Sequence, residues 1–277
     1  MSCKDCPNRQ TRLPKTYRIV SVKRETEKVS TLTFDCSLGA KPGQFVMLWV
    51  PGVDEIPMSV AGDDGTSLRV TFFAVGDATQ ALAMKKEGEL VGLRGPFGTC
   101  YEWEAGQHLA LVSGGYGAAP MYFAGVSAAK SGCPLDVVIG ARSKDRLLYV
   151  EEFRALPRAT VHLATDDGTA GFKGYNVEVL RQLFEKGIAF DCVFACGPER
   201  MLRAVSDITA ERNVPSQLSL ERYMKCGYGL CGNCTVDPLG LRMCVEGPVV
   251  RNEVARKITE FGAYHRDGLG RKLALVK

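Results

Sequence analysis

Four cysteines near the C-terminal end of the chain have the type and spacing of metal ligands. They follow the pattern C-x4-C-x2-C-x9-C and are Cys226, Cys231, Cys234 and Cys244. Plant-type iron–sulfur proteins place three ligands at C-x4-C-x2-C and a fourth farther along the chain. The glycines between them, Gly227, Gly229 and Gly232, accept the positive φ that a loop folded around a cluster requires. The spacing therefore predicts a 2Fe-2S cluster.

Zinc and unligated thiols are the alternatives for these cysteines. A structural zinc site usually has two C-x2-C pairs, whereas four residues separate the first two cysteines here. Disulfides require an oxidising compartment, and the first fifteen residues lack the apolar core of a secretory signal. We therefore expect the eleven cysteines of the chain to be reduced and the protein to be cytoplasmic. Cys3 and Cys6 are expected to be free thiols or half of a site completed elsewhere.

A glycine-rich turn at Ser113–Pro120 is the first candidate for nucleotide binding. It follows the apolar stretch LALV and opens a predicted helix, and its glycines are Gly114, Gly115 and Gly117. Glycines at such a turn let the backbone approach a pyrophosphate, which the N-terminal helix dipole favours. A glycine turn required only for steric reasons is the alternative.

Two further segments follow predicted strands, at the sheet edge where ligands bind in open α/β folds. In Phe194–Leu202, Cys196 either faces a ring held at that edge or is a buried thiol in a tight turn. In Thr165–Gly174, adjacent acids and glycines indicate a solvated turn, or else Lys173 and the backbone contact a nucleotide.

Candidate flavin segments lie in the N-terminal half, at Ile56–Val60 and Val75–Leu82. A flavin ring needs backbone donors and acceptors at its edge, and its phosphates need a helix start such as that at Ala78 and Thr79. The alternatives are that Ser59 is an ordinary strand residue and Thr79 an ordinary helix cap.

The elements that must hold these residues change character once along the chain. From Tyr17 to about Leu93, short apolar segments separated by turn signals predict a small antiparallel barrel. Strand, glycine turn and helix then alternate, which predicts a Rossmann-like parallel sheet covered by helices. The predicted divisions are an N-terminal extension with a CxxC (1–14), the barrel (15–103), the α/β domain (104–220), the cysteine segment (221–250) and a tail (251–277).

Composition excludes several classes of protein. The 277 residues are 45% hydrophobic and 24% charged, which is ordinary for a globular chain of two domains. The net charge is +4 without long basic blocks, so nucleic acid is not expected as a partner. No apolar run approaches the roughly 18 residues needed to cross a bilayer, so no membrane contact is expected.

The order of these motifs resembles the ferredoxin reductase superfamily and, within it, the electron-transfer subunits of the NAD-linked, two-component dihydroorotate dehydrogenases. The resemblance rests on the PxS segment at Pro57, the GPFG at Gly95, the GGYGAAP turn, the CGP at Cys196 and the ERYMKCGYGLCGNC segment. It covers the chain from about Lys15 to the tail. It implies an FAD-binding barrel, an NAD-binding α/β domain and a 2Fe-2S segment.

The resemblance also implies roles for individual positions. The residues expected to contact the flavin are Pro57, Met58, Ser59, Phe73, Val75, Gly76, Ala78 and Thr79. Those expected near the pyridine nucleotide are Gly114, Gly115, Gly117, Cys196, Gly197 and Pro198. Cys226, Cys231, Cys234 and Cys244 match the cluster ligands. Ile56 stands where the superfamily usually has Arg, which leaves FAD and FMN both open at this point.

The implied function is electron transfer, with no side chain of this chain acting as a catalytic acid or base. A hydride carries two electrons and a 2Fe-2S cluster accepts one, so a flavin must convert between them. The resemblance implies a partner subunit that oxidises dihydroorotate on its own FMN, a heterotetramer, and a place in pyrimidine biosynthesis. NAD is expected on resemblance, although Arg142, Lys144 and Arg146 could receive a 2′-phosphate.

Two other functions remain open from the sequence. The same electron path could serve a cytoplasmic hydrogenase or a ferredoxin-linked NADP reductase, some of which replace the first cluster cysteine with Asp. A zinc-stabilised nucleotide-binding scaffold would be colourless, whereas a flavin–cluster protein is brown-yellow.

Overall fold

The computed structural model describes residues 13–275. Its N-terminal half is a closed antiparallel barrel with the strand order β1-β2-β5-β4-β3-β6. The strands are β1 (Lys15–Arg24), β2 (Val29–Phe34), β3 (Phe45–Val50), β4 (Asp54–Asp63), β5 (Leu68–Phe73) and β6 (Leu90–Phe97). A short helix, α1 (Asp77–Ala83), separates β5 from β6 in the chain.

The two faces of β3 contribute to different hydrophobic cores. Val46 and Leu48 pack inside the barrel, whereas Phe45 and Met47 pack against the C-terminal half of the protein. Side chains alternate between the faces of a strand, so an apolar run such as FVMLWV is buried when both faces are covered. The outer face of β3 therefore joins the barrel to the rest of the molecule.

A seven-stranded sheet with the order β10-β9-β8-β7-β11-β12-β15 forms the second half. Its strands are β7 (Leu109–Gly114), β8 (Leu135–Ala141), β9 (Ala159–Thr165), β10 (Phe172–Lys173), β11 (Cys192–Cys196), β12 (Ser216–Ser219) and β15 (Val249–Arg251). All neighbours are parallel except β12 and β15. Every residue of β7 is buried, as expected for a central strand covered on both faces.

Helices and short hairpins complete the C-terminal half. The helices are α2 (Ala118–Lys130), α3 (Val150–Arg154), α4 (Asn176–Glu185), α5 (Glu199–Glu211) and α6 (Asn252–Ala255). Two hairpins, β13 (Thr235–Val236) with β14 (Leu241–Arg242) and β16 (Tyr264–Arg266) with β17 (Lys272–Ala274), lie in the cysteine segment and the tail.

The predicted fold class is confirmed, with its antiparallel barrel, parallel sheet and C-terminal cysteine segment. Within residues 13–275, no helix is long and apolar enough to cross a membrane. Cys3 and Cys6 lie outside the described residues, so the prediction about their thiols is not tested.

Candidate functional site

The four clustered cysteines occupy one loop and form two pairs. The thiol of Cys226 contacts that of Cys231, and the thiol of Cys234 contacts that of Cys244. Cys231 is exposed, whereas Cys234 and Cys244 are buried. The loop therefore presents one pair toward its surface and holds the other pair inside.

Backbone N–H groups point at three of the sulfurs. Gly229 donates to Cys244 Sγ at 3.1 Å, and Leu230 and Cys231 donate to Cys226 Sγ at 3.3 and 3.4 Å. The amide of Cys244 donates to Cys234 Sγ at 3.4 Å. The interspersed glycines have positive φ, as predicted: 78° at Gly227, 83° at Gly229 and 75° at Gly232.

These donors favour thiolates at the positions that would bind iron. Burial raises the pKa of Cys226, but the backbone N–H groups of Cys231, Tyr228 and Leu230 outweigh it and lower the pKa to about 6. A hydrogen bond with Cys244 lowers the pKa of Cys234 to about 7. The same contact, together with burial, raises the pKa of Cys244. The thiolate is the form in which cysteine binds a metal, so these cysteines suit a metal centre.

The two pairs match the ligand arrangement of a two-iron cluster. A 2Fe-2S cluster takes two thiolates on each iron, as Cys226 with Cys231 and Cys234 with Cys244 would supply.

The two segments predicted near the pyridine nucleotide meet at the carboxyl edge of the parallel sheet. The backbone turns at Gly115–Gly117 between β7 and α2. A Cβ at Gly117 would lie 2.4 Å from the carbonyl oxygen of Cys196, and one at Gly114 would lie 2.8 Å from Cδ of Pro198. Glycine is therefore required at both positions for the segments to touch.

Two side chains at this edge bear on how a nicotinamide would fit. Ser113 is fully buried, and its hydroxyl has no hydrogen-bond partner within the described part of the chain. Cys196 is 4% exposed, and burial raises the pKa of its thiol to about 12. The thiol is thus neutral and packed, rather than a reactive nucleophile.

A tyrosine and a glutamate, which sequence reasoning missed, lie across the same edge. The hydroxyl of Tyr116 donates to the carboxylate of Glu221, with O···O distances of 3.1 and 3.3 Å. Glu221 keeps an open face to solvent although protein atoms crowd it, and this desolvation raises the pKa of its carboxyl. Tyr116 stands at the variable position of the glycine turn and Glu221 opens the ERYMKCGYGLCGNC segment, but neither was predicted as a site residue.

The predicted flavin segments lie on β4, at the end of β5 and at the start of α1. Pro57, Met58 and Ser59 are half-buried on β4, and Phe73 ends β5. Val75 is 70% exposed. The other three residues predicted to contact the flavin, Gly76, Ala78 and Thr79, surround the start of the helix.

The start of α1 has open space beside it, and the hydroxyl of Thr79 there is already hydrogen-bonded to the backbone. Thr79 Oγ1 accepts from the amides of Val75 and Gly76 and donates to the carbonyl of Gly76, each at 2.9 Å. A Cβ at Gly76 would meet no atom within 4 Å in residues 13–275. A phosphate contact here would therefore use the backbone and the space beside Gly76, with Thr79 shaping the turn.

The basic loop after β8 lies beside the acidic turn that follows β9. The amide of Lys144 donates to Thr169 Oγ1 at 2.9 Å, and Asp167 donates its amide to the carbonyl of Arg142 at 3.2 Å. Arg142, Lys144 and Arg146 are all exposed. Lys173 packs its stem over Gly168.

Comparison with known proteins gives matches over nearly the whole chain. Residues 221–254 match the iron–sulfur cluster binding domain of dihydroorotate dehydrogenase B, and residues 111–207 match an oxidoreductase NAD-binding domain. A "probable dihydroorotate dehydrogenase B (NAD(+)), electron transfer subunit" of Methanocaldococcus jannaschii is 40% identical over 94% of this chain and 98% of its own length. A protein of the same name from Archaeoglobus fulgidus is 41% identical over 84% of this chain and 95% of its own length.

Solved structures show the same fold. A chain from the structure of an NADH-dependent reduced ferredoxin-NADP oxidoreductase, described in connection with flavin-based electron bifurcation, superposes with a TM-score of 0.79 at 32% identity. The match covers 87% of this chain and 89% of that one. A flavohemoglobin from Malassezia yamatoensis with bound FAD and heme has a TM-score of 0.63 at 18% identity, over 75% of this chain and 60% of that chain, and shows the fold alone.

Proposed function

The chain belongs to the family of dihydroorotate dehydrogenase B electron transfer subunits, and we propose that it carries electrons from a subunit that oxidises dihydroorotate to NAD+. It is an oxidoreductase subunit that acts with a catalytic partner. The observation that carries the proposal is the set of backbone amides directed at the sulfurs of Cys226, Cys234 and Cys244 within one loop. Such a site transfers electrons one at a time.

Its cofactors are FAD, a 2Fe-2S cluster and NAD. A bound flavin supplies the exchange between a two-electron hydride and single electrons. The neutral, packed thiol of Cys196 gives the nicotinamide end an apolar wall without a competing nucleophile. The protein contributes binding, orientation and exclusion of water.

We assign the cluster to the two cysteine pairs, one pair on each iron. Cys226 and Cys231 would hold the iron nearer the loop surface, because Cys231 is exposed, and Cys234 and Cys244 would hold the other. The amides of Gly229 and Leu230 remain as donors to ligand sulfurs and stabilise negative charge there.

The nucleotide sites are proposed from the geometry of the glycines. The turn at Gly114, Gly115 and Gly117 would hold the pyrophosphate of NAD, with Cys196, Gly197 and Pro198 forming the wall opposite. Open space at Gly76 suits the flavin phosphates, with the ring along β4 and Phe73. The absence of an arginine at Ile56 is consistent with phosphate contacts made by the backbone.

The proposed partner is an FMN-containing subunit in a hetero-oligomer, and the proposed pathway is pyrimidine biosynthesis. A cytoplasmic location stays a prediction. A ferredoxin-linked NADP reductase is the second candidate, favoured by the TM-score of 0.79 to the ferredoxin-NADP oxidoreductase chain. The two candidates differ in the electron donor that the complex accepts.

The test is anaerobic purification of the tagged chain with its companions from its own cells, followed by assay of dihydroorotate-dependent reduction of NAD+. We expect activity with a co-purifying FMN subunit. Cys226→Ser should abolish the activity and remove the iron. Cys133→Ser is the matched control, because its thiol lies outside the loop and donates to the carbonyl of Glu104, a bond that serine retains.

A different outcome separates the candidates. A coloured complex that takes electrons from NADPH and reduces ferredoxin, but ignores dihydroorotate, would contradict the proposed substrate and support the second candidate. A colourless, iron-free protein would contradict both.

A further inference from the structure

Arg94 is a buried cation that links the barrel to the cysteine loop. It lies on β6 and is 6% exposed. Its Nη1 donates to the carbonyl oxygen of Cys226 at 2.5 Å, and its Nη2 lies 3.3 Å from the carbonyl oxygen of Lys225. Arg94 therefore contacts the backbone of a proposed cluster ligand and of the residue before it.

Glu55 on β4 fixes this guanidinium from the other side. Its two carboxylate oxygens accept from Nε and Nη2 of Arg94, both at 2.5 Å. A two-point pair of this kind holds an arginine in one orientation. Glu55 is partly exposed, with 24% of its side chain accessible, so the carboxylate is the more solvated member of the pair.

Aromatic rings complete the surroundings of Arg94. The guanidinium carbon lies 5.6 Å from the ring centre of Phe97 on the barrel and 5.5 Å from that of Tyr228 in the cysteine loop. Gly227 also packs on the barrel, because a Cβ there would lie 2.8 Å from Cγ of Met47. These contacts bring the loop close to the barrel at the Cys226 end.

We propose that Arg94 and Glu55 act as positioning residues for the cluster and set its reduction potential through their opposite charges. This inference rests on the proposed function, because it requires a cluster at Cys226. Reduction adds negative charge to the cluster. A nearby cation stabilises that charge and an anion opposes it.

The two charges give opposite expectations. Arg94→Gln leaves the Glu55 carboxylate unbalanced, so the cluster should become harder to reduce. Glu55→Gln leaves the guanidinium unbalanced, so the cluster should become easier to reduce. The titration should resolve a change of about tenfold in the ratio of reduced to oxidised cluster at a fixed potential. For a one-electron couple this is a shift of about 59 mV in the reduction potential.

The experiment is a redox titration of the full chain purified with its cluster, followed by low-temperature EPR, with iron content measured on each sample. Arg94→Lys keeps the charge without the two-point geometry, so its potential should lie nearer to wild type than that of Arg94→Gln. The double variant Arg94→Gln/Glu55→Gln should return toward wild type, because both charges are removed together.

Arg154→Gln and Glu151→Gln are the matched controls. They remove the same charges from an ion pair within α3. This helix packs beside β9, toward the opposite edge of the sheet from the strands that flank the cysteine loop, β12 and β15. Neither control should move the potential.

The possible outcomes separate a failure of this inference from a failure of the proposed function on which it rests. A wild-type chain without a 2Fe-2S signal overturns both. A wild-type signal with an unmoved potential in Glu55→Gln, or with shifts of the same sign in Glu55→Gln and Arg94→Gln, overturns this inference alone. Because Glu55→Gln is a conservative change at a partly solvated position, it provides the test even if Arg94→Gln fails to fold.

Discussion

Arg222 and Glu199 form a two-point ion pair in the interior, with each side chain 4% exposed. The two N···O distances are 3.0 and 3.1 Å. Glu199 also accepts the amide of Gly262 at 3.1 Å, and Arg222 Nε lies 3.8 Å from the carboxylate of Glu260. Glu199 opens α5 directly after Pro198, so the pair ties the carboxyl edge of the parallel sheet to the chain entering the cysteine loop and to the tail.

We predict that Arg222→Met lowers the stability by about 3–5 kcal/mol, because it leaves the carboxylate of Glu199 buried without its arginine, whereas Glu260 keeps its ion pair with Arg266. For a chain of this size the thermal midpoint should fall by about 5–10 °C. Arg181→Met removes a cation from an exposed pair with Glu211 and should cost less than about 1 kcal/mol. Equal midpoints for the two variants would show that the buried pair does not hold the segments together.

Flavin retention tests the space at the start of α1. Gly76 has a φ of −109°, which alanine adopts without strain, and open space around its Cα. Gly76→Ala should therefore leave the thermal midpoint of the flavin-free protein unchanged while the flavin dissociates at least several-fold more readily. The measurement is the absorbance of flavin released on dilution. If Gly76→Ala retains flavin as well as wild type does, the flavin phosphates do not bind beside Gly76.

A methyl group at Gly117 should weaken binding of the pyridine nucleotide. The added Cβ would lie 2.4 Å from the Cys196 carbonyl oxygen, so Gly117→Ala must push the turn away from the Cys196–Pro198 wall. We expect the Kd for NADH, measured by calorimetry, to rise at least tenfold.

Gly125→Ala is the control for that change, because Gly125 lies on α2, the helix that follows this turn directly. Its Cβ would meet only side-chain atoms, at 3.1 to 3.3 Å, so stability should fall modestly without a change in NADH affinity. If both variants bind NADH as tightly as wild type, the turn does not hold the nucleotide.

The ionisation of Asp136 should make the free energy of unfolding depend on pH in the acidic range. Burial raises the pKa of Asp136, but hydrogen bonds from His162 and His108, at 2.6 and 2.7 Å, outweigh it and hold the pKa below its ordinary value of 3.8. A carboxyl group whose pKa is lower in the folded state stabilises the fold at pH values above its unfolded-state pKa. This stabilisation is lost as the pH falls through its folded-state pKa.

The corresponding comparison is wild type against Asp136→Asn across pH. Their difference in unfolding free energy, measured with urea, should be largest above about pH 5 and should narrow below the ordinary value of 3.8. Asp145→Asn, at an exposed position, should show no such trend. A difference that stays constant down to pH 3 would mean that the carboxylate charge is not involved.

Local spacing explains which parts of this protein could be predicted from its sequence. The cysteine loop needs its ligands and glycines within one short segment, so C-x4-C-x2-C and the positive φ values followed from the sequence. The glycine turn after β7 was equally local. The alternation of strand and helix predicted the parallel sheet, because each unit is continuous in the chain.

Contacts between distant segments could not be predicted in the same way. Arg94 and Cys226 are 132 positions apart, and the sequence LRGPFG indicates only a strand followed by a turn. Glu221 bonds to Tyr116 across 105 positions. The sequence predicted only that a tail follows the cysteine segment, yet Glu260 and Gly262 in that tail close the ion-pair network around Arg222. These contacts depend on how the tail folds back on the sheet edge.

The most direct test of the central claim follows the cluster while both ends of the electron path are supplied in turn. Dihydroorotate is added to the anaerobic complex without NAD+, the EPR signal of the reduced cluster is recorded, and NAD+ is then added. We predict that the signal appears with dihydroorotate and disappears with NAD+. A cluster that stays oxidised with dihydroorotate, or stays reduced after NAD+, would contradict electron transfer through this chain.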